Sequence, residues 1–376
     1  MTDILSGVLP TSDPDTDPGT PDQSEIDEHL VCVERIAVTH DVTTFVLAPR
    51  STRWFYFQPG QYVTITVNLD GQEVNRCYTI SSPPTRPDRL TITVKRVPGG
   101  PVSNWLHDRL TVGDTVPVTG PLGRFTTDRH PASKYLFLSA GSGITPLMSM
   151  TRTIIDLDTE VDVIFVHNAR TPDDIIFRRE LETIAADHPK VTVVAICEQD
   201  STSQEWAGHR GRLSLPLLRD IAVDLPEREI FTCGPAPYMT AVRSMLDEAG
   251  ADPARRHEET FSFEDLIGTR ALASSESSVP TSEQVAAEVK TFSVELRHRR
   301  QTIECDADTT VLQAALRAGV RLPSSCEEGV CGTCKSSLLC GSVDMQHAGG
   351  IRPREIAQNK ILVCCSKPLE DLIIDA

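Results

Sequence analysis

The stretch Leu322-Pro323-Ser324-Ser325-Cys326-Glu327-Glu328-Gly329-Val330-Cys331-Gly332-Thr333-Cys334 holds three cysteines within nine residues, spaced C-x4-C-x2-C, and Cys364 follows after 29 intervening residues. Four thiolates at this spacing suit a [2Fe–2S] cluster, because soft sulfur ligands select iron–sulfur chemistry and one loop carrying three of them must wrap the metal group. Gly329 and Gly332 leave room for backbone N–H groups to approach the sulfurs. A structural zinc site would more often pair two C-x2-C units, and only one is present here. The metal ligands expected are therefore Cys326, Cys331, Cys334 and Cys364.

This loop resembles that of the plant-type ferredoxins, and Cys364-x3-Pro368 resembles the final ligand of that family. The resemblance picks Cys364 over Cys365, and leaves Cys340 and Cys365 as buried thiols near the cluster. It implies a β-grasp fold, a mixed α+β sheet crossed by a helix at about 311–318, with strand-like Lys290–Leu296 and Gln301–Glu304 opening the unit.

Working upstream, residues 264–288 are rich in Ser, Thr, Glu and Ala and read as a flexible linker of about 25 residues. Before it, Tyr135–Ser139, Val161–His167, Val191–Cys197 and Glu229–Cys233 are compact apolar runs separated by helical stretches, which predicts βαβ units and a parallel sheet. Thr145-Pro146 and Thr171-Pro172 each read as a capping Thr before a first-turn Pro. Earlier still, Val31–Val38, Tyr62–Asn68, Arg89–Arg96 and Asp114–Thr119, punctuated by Gly and Pro, predict an antiparallel β-barrel. The expected organisation is a disordered acidic tail over 1–28, a β-barrel over 29–130, an α/β domain over 131–263, the linker, and the ferredoxin-like domain over 289–376.

The barrel segment contains Arg76-Cys77-Tyr78-Thr79-Ile80-Ser81-Ser82. Arg suits a pyrophosphate through its bidentate fork. Residues two apart share one side of a strand, so Tyr78 is placed to lie against an isoalloxazine, while Thr79 on the other side is placed to hydrogen-bond a ring nitrogen. Gly99-Gly100-Pro101-Val102-Ser103 then feeds a helix over 104–110, whose N-terminus is an anion site. With Gly120-Pro121-Leu122-Gly123-Arg124-Phe125, these motifs resemble the ferredoxin–NADP reductase superfamily. The last element is similar to that of FAD-binding members, whereas the related phthalate dioxygenase reductases take FMN. The resemblance implies FAD, with Arg76, Tyr78, Thr79, Ser81, Gly100, Val102 and Ser103 around it.

Ser139-Ala140-Gly141-Ser142-Gly143-Ile144-Thr145-Pro146 joins a strand to a helix, and Cys233-Gly234-Pro235 does the same later. Both turns fall at C-terminal strand ends, where open α/β sheets bind ligands. They are similar to the superfamily's nicotinamide motifs, which implies that Gly141, Gly143, Thr145, Pro146, Gly234 and Pro235 meet NADH and that Cys233 sits beside the hydride-transfer site. Arg170 follows the second strand and is placed to reach the ribose. His257-x-Glu259-x-Phe261 resembles a motif of ferredoxin-linked members, in which Glu259 and Phe261 approach the flavin. Thr79, Cys233, Glu259 and Phe261 are the catalytic candidates.

The three cofactors belong together chemically. NADH delivers two electrons as a hydride, a [2Fe–2S] cluster accepts one, and a flavin takes two and releases them singly. No terminal acceptor motif is visible, so the acceptor is expected to be a separate protein. The module order is similar to reductase components of Rieske-type monooxygenases that demethylate glycine betaine and related methylammonium compounds. It is also similar to NADH reductases of hybrid cluster proteins and of di-iron hydroxylases, and a redox-sensing module is a further reading. The formal charge of −17, from 36 basic and 53 acidic residues, disfavours nucleic acid and anionic membrane as partners. The first 28 residues hold eight acids and no Lys or Arg, whereas 290–376 hold 11 of each sign, so the acidic excess is no argument for an acidic docking face on the C-terminal unit. With no secretory signal or spanning segment, the expected location is the cytoplasm.

Overall fold

The computed structural model describes residues 26–261 except 52 and 70, and 290–376 except 321, 323, 325–328, 330, 331 and 348. The expected linker and most of the expected tail lie outside the described residues. The tail boundary moves: β1 spans Ile26–Ala37, and Ile26 is fully buried and paired with Gly120. An apolar residue with a barrel interior to fill outweighs its acidic neighbours.

Six antiparallel strands form the first unit: β1, β2 (Val42–Ala48), β3 (Tyr62–Leu69), β4 (Gln72–Thr79), β5 (Leu90–Lys95) and β6 (Thr115–Leu122), in the order β4-β3-β6-β1-β2-β5. The sheet closes through an Ile80–Ile92 bridge and the Ser81 N–H donating to Thr91 O at 2.8 Å. Ile26, Phe45, Leu47, Ile65, Ile92 and Val118 alternate inward and fill the barrel, and helix α1 (Pro101–Arg109) lies against it through Val102 and Leu106.

The second unit is a parallel sheet of β7 (Lys134–Ala140), β8 (Asp162–Ala169), β9 (Val191–Cys197), β10 (His209–Arg210), β11 (Glu229–Pro235) and β12 (Arg256–Phe261), ordered β10-β9-β8-β7-β11-β12. Helices α2 (Ile144–Asp156), α3 (Arg178–Asp187), α4 (Leu215–Ile221) and α5 (Ala236–Glu248) connect the strands. Phe137, Phe165 and Phe231 face one core with α2, while Leu136, Leu138, Val166 and Ile230 face another with α4 and α5. A sheet buried on both faces reads as continuous apolar runs. The strand order reverses between β7 and β11, so the crevice opens at their C-terminal ends.

The Thr-Pro helix starts differ from expectation. Helix α2 begins at Ile144 directly out of a 3-10 turn, Gly141–Gly143, so Gly143 is the N-cap and the Thr145 hydroxyl donates to Ser142 O at 3.1 Å. Thr171-Pro172 opens only a single 3-10 turn, because the Thr171 hydroxyl donates to Asp174 Oδ2 at 2.8 Å. Helix α3 starts later, after Phe177 at φ +59°.

The third unit has a five-stranded mixed sheet, β14 (Gln301–Asp306), β13 (Thr291–Leu296), β19 (Leu372–Asp375), β15 (Lys335–Cys340) and β17 (Lys360–Leu362), beside a pair, β16 (Val343–Met345) and β18 (Ser366–Pro368). Helix α6 (Val311–Arg317) crosses it behind a Thr310–Gln313 capping box, and α7 (Pro353–Ala357) precedes β17. No helix among the described residues is long and apolar enough to cross a membrane.

Candidate functional site

At the end of β4 the chain leaves the barrel toward the second unit. Arg76 Nη1 donates to Asn75 O at 2.8 Å, and Tyr78 packs on the barrel core with its hydroxyl buried and unpartnered among the described residues. Thr79 is buried on the opposite side of the strand. Ser81 turns its hydroxyl into the barrel wall, within 2.8 Å of Thr91 Oγ1 and 2.9 Å of Thr93 Oγ1. The following carbonyls are tied to α2: Ser149 Oγ donates to Ser82 O at 2.7 Å, the Arg152 guanidinium to Ser81 O, and Arg86 pairs with Asp156 at 2.6 Å. The segment that follows Thr79 is therefore fixed by the second unit, a link with no local sequence signal.

Gly100 precedes Pro101 of α1, so the first-turn N–H groups of Val102 and Ser103 face out of the helix end. The Ser103 hydroxyl accepts from Val97 N and donates to Gly100 O, both at 3.2 Å, which fixes the turn. Gly99, at φ +74°, makes the reversal that a Cβ would oppose.

Across the crevice, the turn Gly141–Gly143 interlocks with the end of β11. A Cβ on Gly143 would collide with the Cys233 carbonyl and come within 2.6 Å of Gly234 N. Thr145 and Pro146 are buried in the first turn of α2, and Pro235 caps α5. Arg170, at the end of β8, is held by Asp174 at 3.0 Å and lies 3.9 Å from Asp41 of the barrel's first hairpin.

The sheet register assembles one polar row. His167, Ser139, Cys233 and Glu259 are successive register partners on β8, β7, β11 and β12, and parallel partners project to the same face. His167 Nδ1 lies 2.8 Å from Ser139 Oγ, and burial depresses its pKa to about 3, so the ring is neutral. Burial, and then the nearby Glu259 carboxylate, push the Cys233 thiol well above its usual value. Burial alone lifts Glu259 to about 8, and its Oε2 has no partner among the described residues. Phe261 ends β12 opposite Pro235; its side chain lies outside the described residues. At the other end of β12, His257 Nε2 lies 2.8 Å from Glu229 Oε2 and the ring stacks on His130. His257 thus belongs to the far edge of the sheet. Sequence reasoning missed His167 and Asp41, because register and hairpin packing bring them in.

In the third unit, Cys334 and Cys364 are buried in the same core, with Val363 N donating to Cys334 O at 3.3 Å. Cys326 and Cys331 lie outside the described residues. Gly329 and Gly332 adopt φ +70° and +71°, the left-handed region that glycine enters without a Cβ penalty. Cys340 is a correction: it is exposed at the far end of β15, not a buried thiol beside the cluster, since a strand of six residues carries it roughly 17 Å away. The Cys365 thiol donates to Leu362 O at 3.6 Å. This unit meets the barrel where a Cβ on Gly349 would lie 3.2 Å from Arg124 Cγ.

The residues fit the three groups. Tyr78 and Glu259 keep buried polar atoms in want of a partner, glycines clear the two turns at the crevice, and Cys334 and Cys364 share one buried core. Three family models match consecutive stretches: an oxidoreductase FAD-binding domain over residues 29–127, an oxidoreductase NAD-binding domain over 137–244, and a 2Fe-2S iron-sulfur cluster binding domain over 294–369. The chain is 45% identical over 354 residues to the glycine betaine monooxygenase reductase subunit of Pseudomonas aeruginosa strain UCBPP-PA14, covering 92% of this chain and 95% of that protein. It is 40% identical over 349 residues to a stachydrine N-demethylase reductase subunit of Rhizobium meliloti strain 1021, covering 93% and 96%. A solved phthalate dioxygenase reductase shares the fold, with a TM-score of 0.55 at 24% identity over 93% of this chain and 98% of that one.

Proposed function

We propose that this chain, which belongs to the family of FAD-, NAD- and [2Fe–2S]-binding reductase subunits that includes those of glycine betaine monooxygenase, delivers its electrons to a separate Rieske-type oxygenase that demethylates glycine betaine or a related methylammonium compound. The chain is an oxidoreductase in which electrons pass from NADH to FAD to [2Fe–2S]. What carries the partner reading is the likeness to oxygenase and demethylase reductase subunits along nearly the whole chain, with all three modules in one order. We place the protein in the cytoplasm, where NADH is available to it.

The residues divide the work as follows. Arg76 and the first-turn N–H groups of Val102 and Ser103, brought close by Gly100, would hold the FAD pyrophosphate, Tyr78 would lie against the ring system, and Thr79 would hydrogen-bond a ring nitrogen, with Ser81 holding the segment in place. The flavin, when bound, supplies the conversion of a two-electron hydride into single electrons. Gly141, Gly143, Thr145, Pro146, Gly234 and Pro235 line the approach for the nicotinamide, and Arg170 reaches its ribose. Cys233 orients the nicotinamide at the end of β11. Glu259, neutral up to about pH 8, donates a hydrogen bond that a carboxylate could not. Phe261 closes the same end of β12. Cys326, Cys331, Cys334 and Cys364 hold the cluster. The barrel over 26–130, the α/β unit over 131–263 and the ferredoxin-like unit over 289–376 act as the three modules, the third joined to the second by the 264–288 linker.

The test is reconstitution. The purified holoprotein is mixed with NADH, glycine betaine and a purified Rieske-type oxygenase, and formaldehyde release is measured. Formaldehyde in proportion to NADH consumed supports the reading. Reduction of hybrid cluster protein or of a di-iron hydroxylase, with no oxygenase supported, overturns it.

A further inference from the structure

We infer that Arg352 and Glu355 form a buried charge pair behind the cluster loop that sets the reduction potential of the [2Fe–2S] centre, with Arg352 raising it and Glu355 lowering it. This rests on the reading of Cys326, Cys331, Cys334 and Cys364 as the cluster ligands.

Three observations place the pair. First, the segment leading into α7 packs directly on the cysteine loop: Gly350 N donates to Gly329 O at 2.9 Å, and a Cβ on Gly332 would come within 2.7 Å of Gly350 O. Second, Ile351 shares the buried core of Cys334 and Cys364, and Arg352, the next residue, is 6% exposed. Third, Glu355 reaches from α7 both to Arg352 and to the residue that follows the cysteine loop. Its Oε2 accepts from Arg352 N at 3.0 Å, with Arg352 Nε at 3.9 Å, and its Oε1 accepts from Lys335 Nζ at 2.7 Å. Lys335 directly follows the ligand Cys334.

Burying an Arg and a Glu is costly unless the fold uses them, and Arg keeps its charge in any protein interior. Burial opposes ionisation of Glu355, but the hydrogen bonds from Lys335 and from the Arg352 backbone, with both nearby cations, hold its carboxyl below the usual range, so it too is charged. A cluster on four thiolates is anionic and gains a further negative charge with each electron. Charges fixed close to it in low dielectric therefore act on the reduced form more than on the oxidised one. Packing alone would be served as well by apolar residues of similar size.

Redox titration of the holoprotein, following the EPR signal of the reduced cluster, separates tuning from scaffolding. Arg352→Gln is expected to lower the reduced-to-oxidised ratio at fixed poise about tenfold, equivalent to about 59 mV for one electron. Glu355→Gln is expected to shift it by a similar factor in the opposite direction. Arg352→Lys, which keeps the charge, should stay within about twofold of the parent. NADH bleaching of the flavin should be unchanged in all three. Opposite shifts from the two Gln variants are the signature of charge. Shifts of the two Gln variants in the same direction, loss of the cluster from both, or unchanged potentials overturn the inference. Absence of any reduced-cluster signal in the parent protein would instead overturn the ligand assignment.

Discussion

Cys233 and Glu259 stand side by side in the parallel register of β11 and β12, both shut away from water, and the carboxylate makes ionisation of the thiol harder still. Two acidic groups that stay neutral at physiological pH leave this end of the sheet without a fixed negative charge, which suits the hydride path proposed there.

Glu259 carries a pH signature. Its pKa is raised from 4.5 to about 8, so the folded protein holds this proton where the unfolded chain has lost it, and stability falls as pH rises between those values. Hydride transfer that depends on the protonated carboxyl should decline above about pH 8. Glu259→Gln should flatten that limb and raise the alkaline melting temperature, checked by stopped-flow flavin bleaching and thermal melts from pH 6 to 10. A limb that persists in the variant would assign it elsewhere.

Cys233→Ala should slow flavin bleaching by NADH on the order of tenfold or more while leaving the cluster spectrum intact, if the thiol orients the nicotinamide at the end of β11 as proposed. Unaltered bleaching would remove Cys233 from the site.

Gly143→Ala should cost about 1–3 kcal/mol of stability, the usual range for overpacking, since the new methyl meets backbone of β11 that has nowhere to go. NAD+ affinity should fall with it, as the two turns are forced apart. Denaturant melts and NAD+ titration of the flavin spectrum measure both effects.

Cys364→Ser should abolish the cluster's visible absorption and leave NADH reduction of the flavin largely intact, whereas Cys365→Ser should retain the cluster, its thiol being directed to Leu362 O. A cluster surviving the first change and lost in the second would exchange their roles.

Local sequence was enough for much of this protein. The apolar run Tyr135–Ser139 falls within β7, all of Val161–His167 but its first residue falls within β8, and the alternation after Tyr62 forms β3, because a strand's burial pattern is written in its own side chains. The cysteine spacing and the glycine turns were legible for a like reason: the chemistry demands particular atoms at particular intervals along one stretch of chain.

What only the tertiary structure decided was which distant residues meet. Ile26 joins a barrel because a closing sheet offers it an interior, Thr171-Pro172 fails to start a helix because Asp174 takes the hydroxyl, and His167 enters the row with Ser139, Cys233 and Glu259 through register across four strands. Glu355 reaches Lys335 across 20 positions. Periodicity records whether a residue is buried; the partner it is buried against depends on strand order and packing, which are properties of the whole chain.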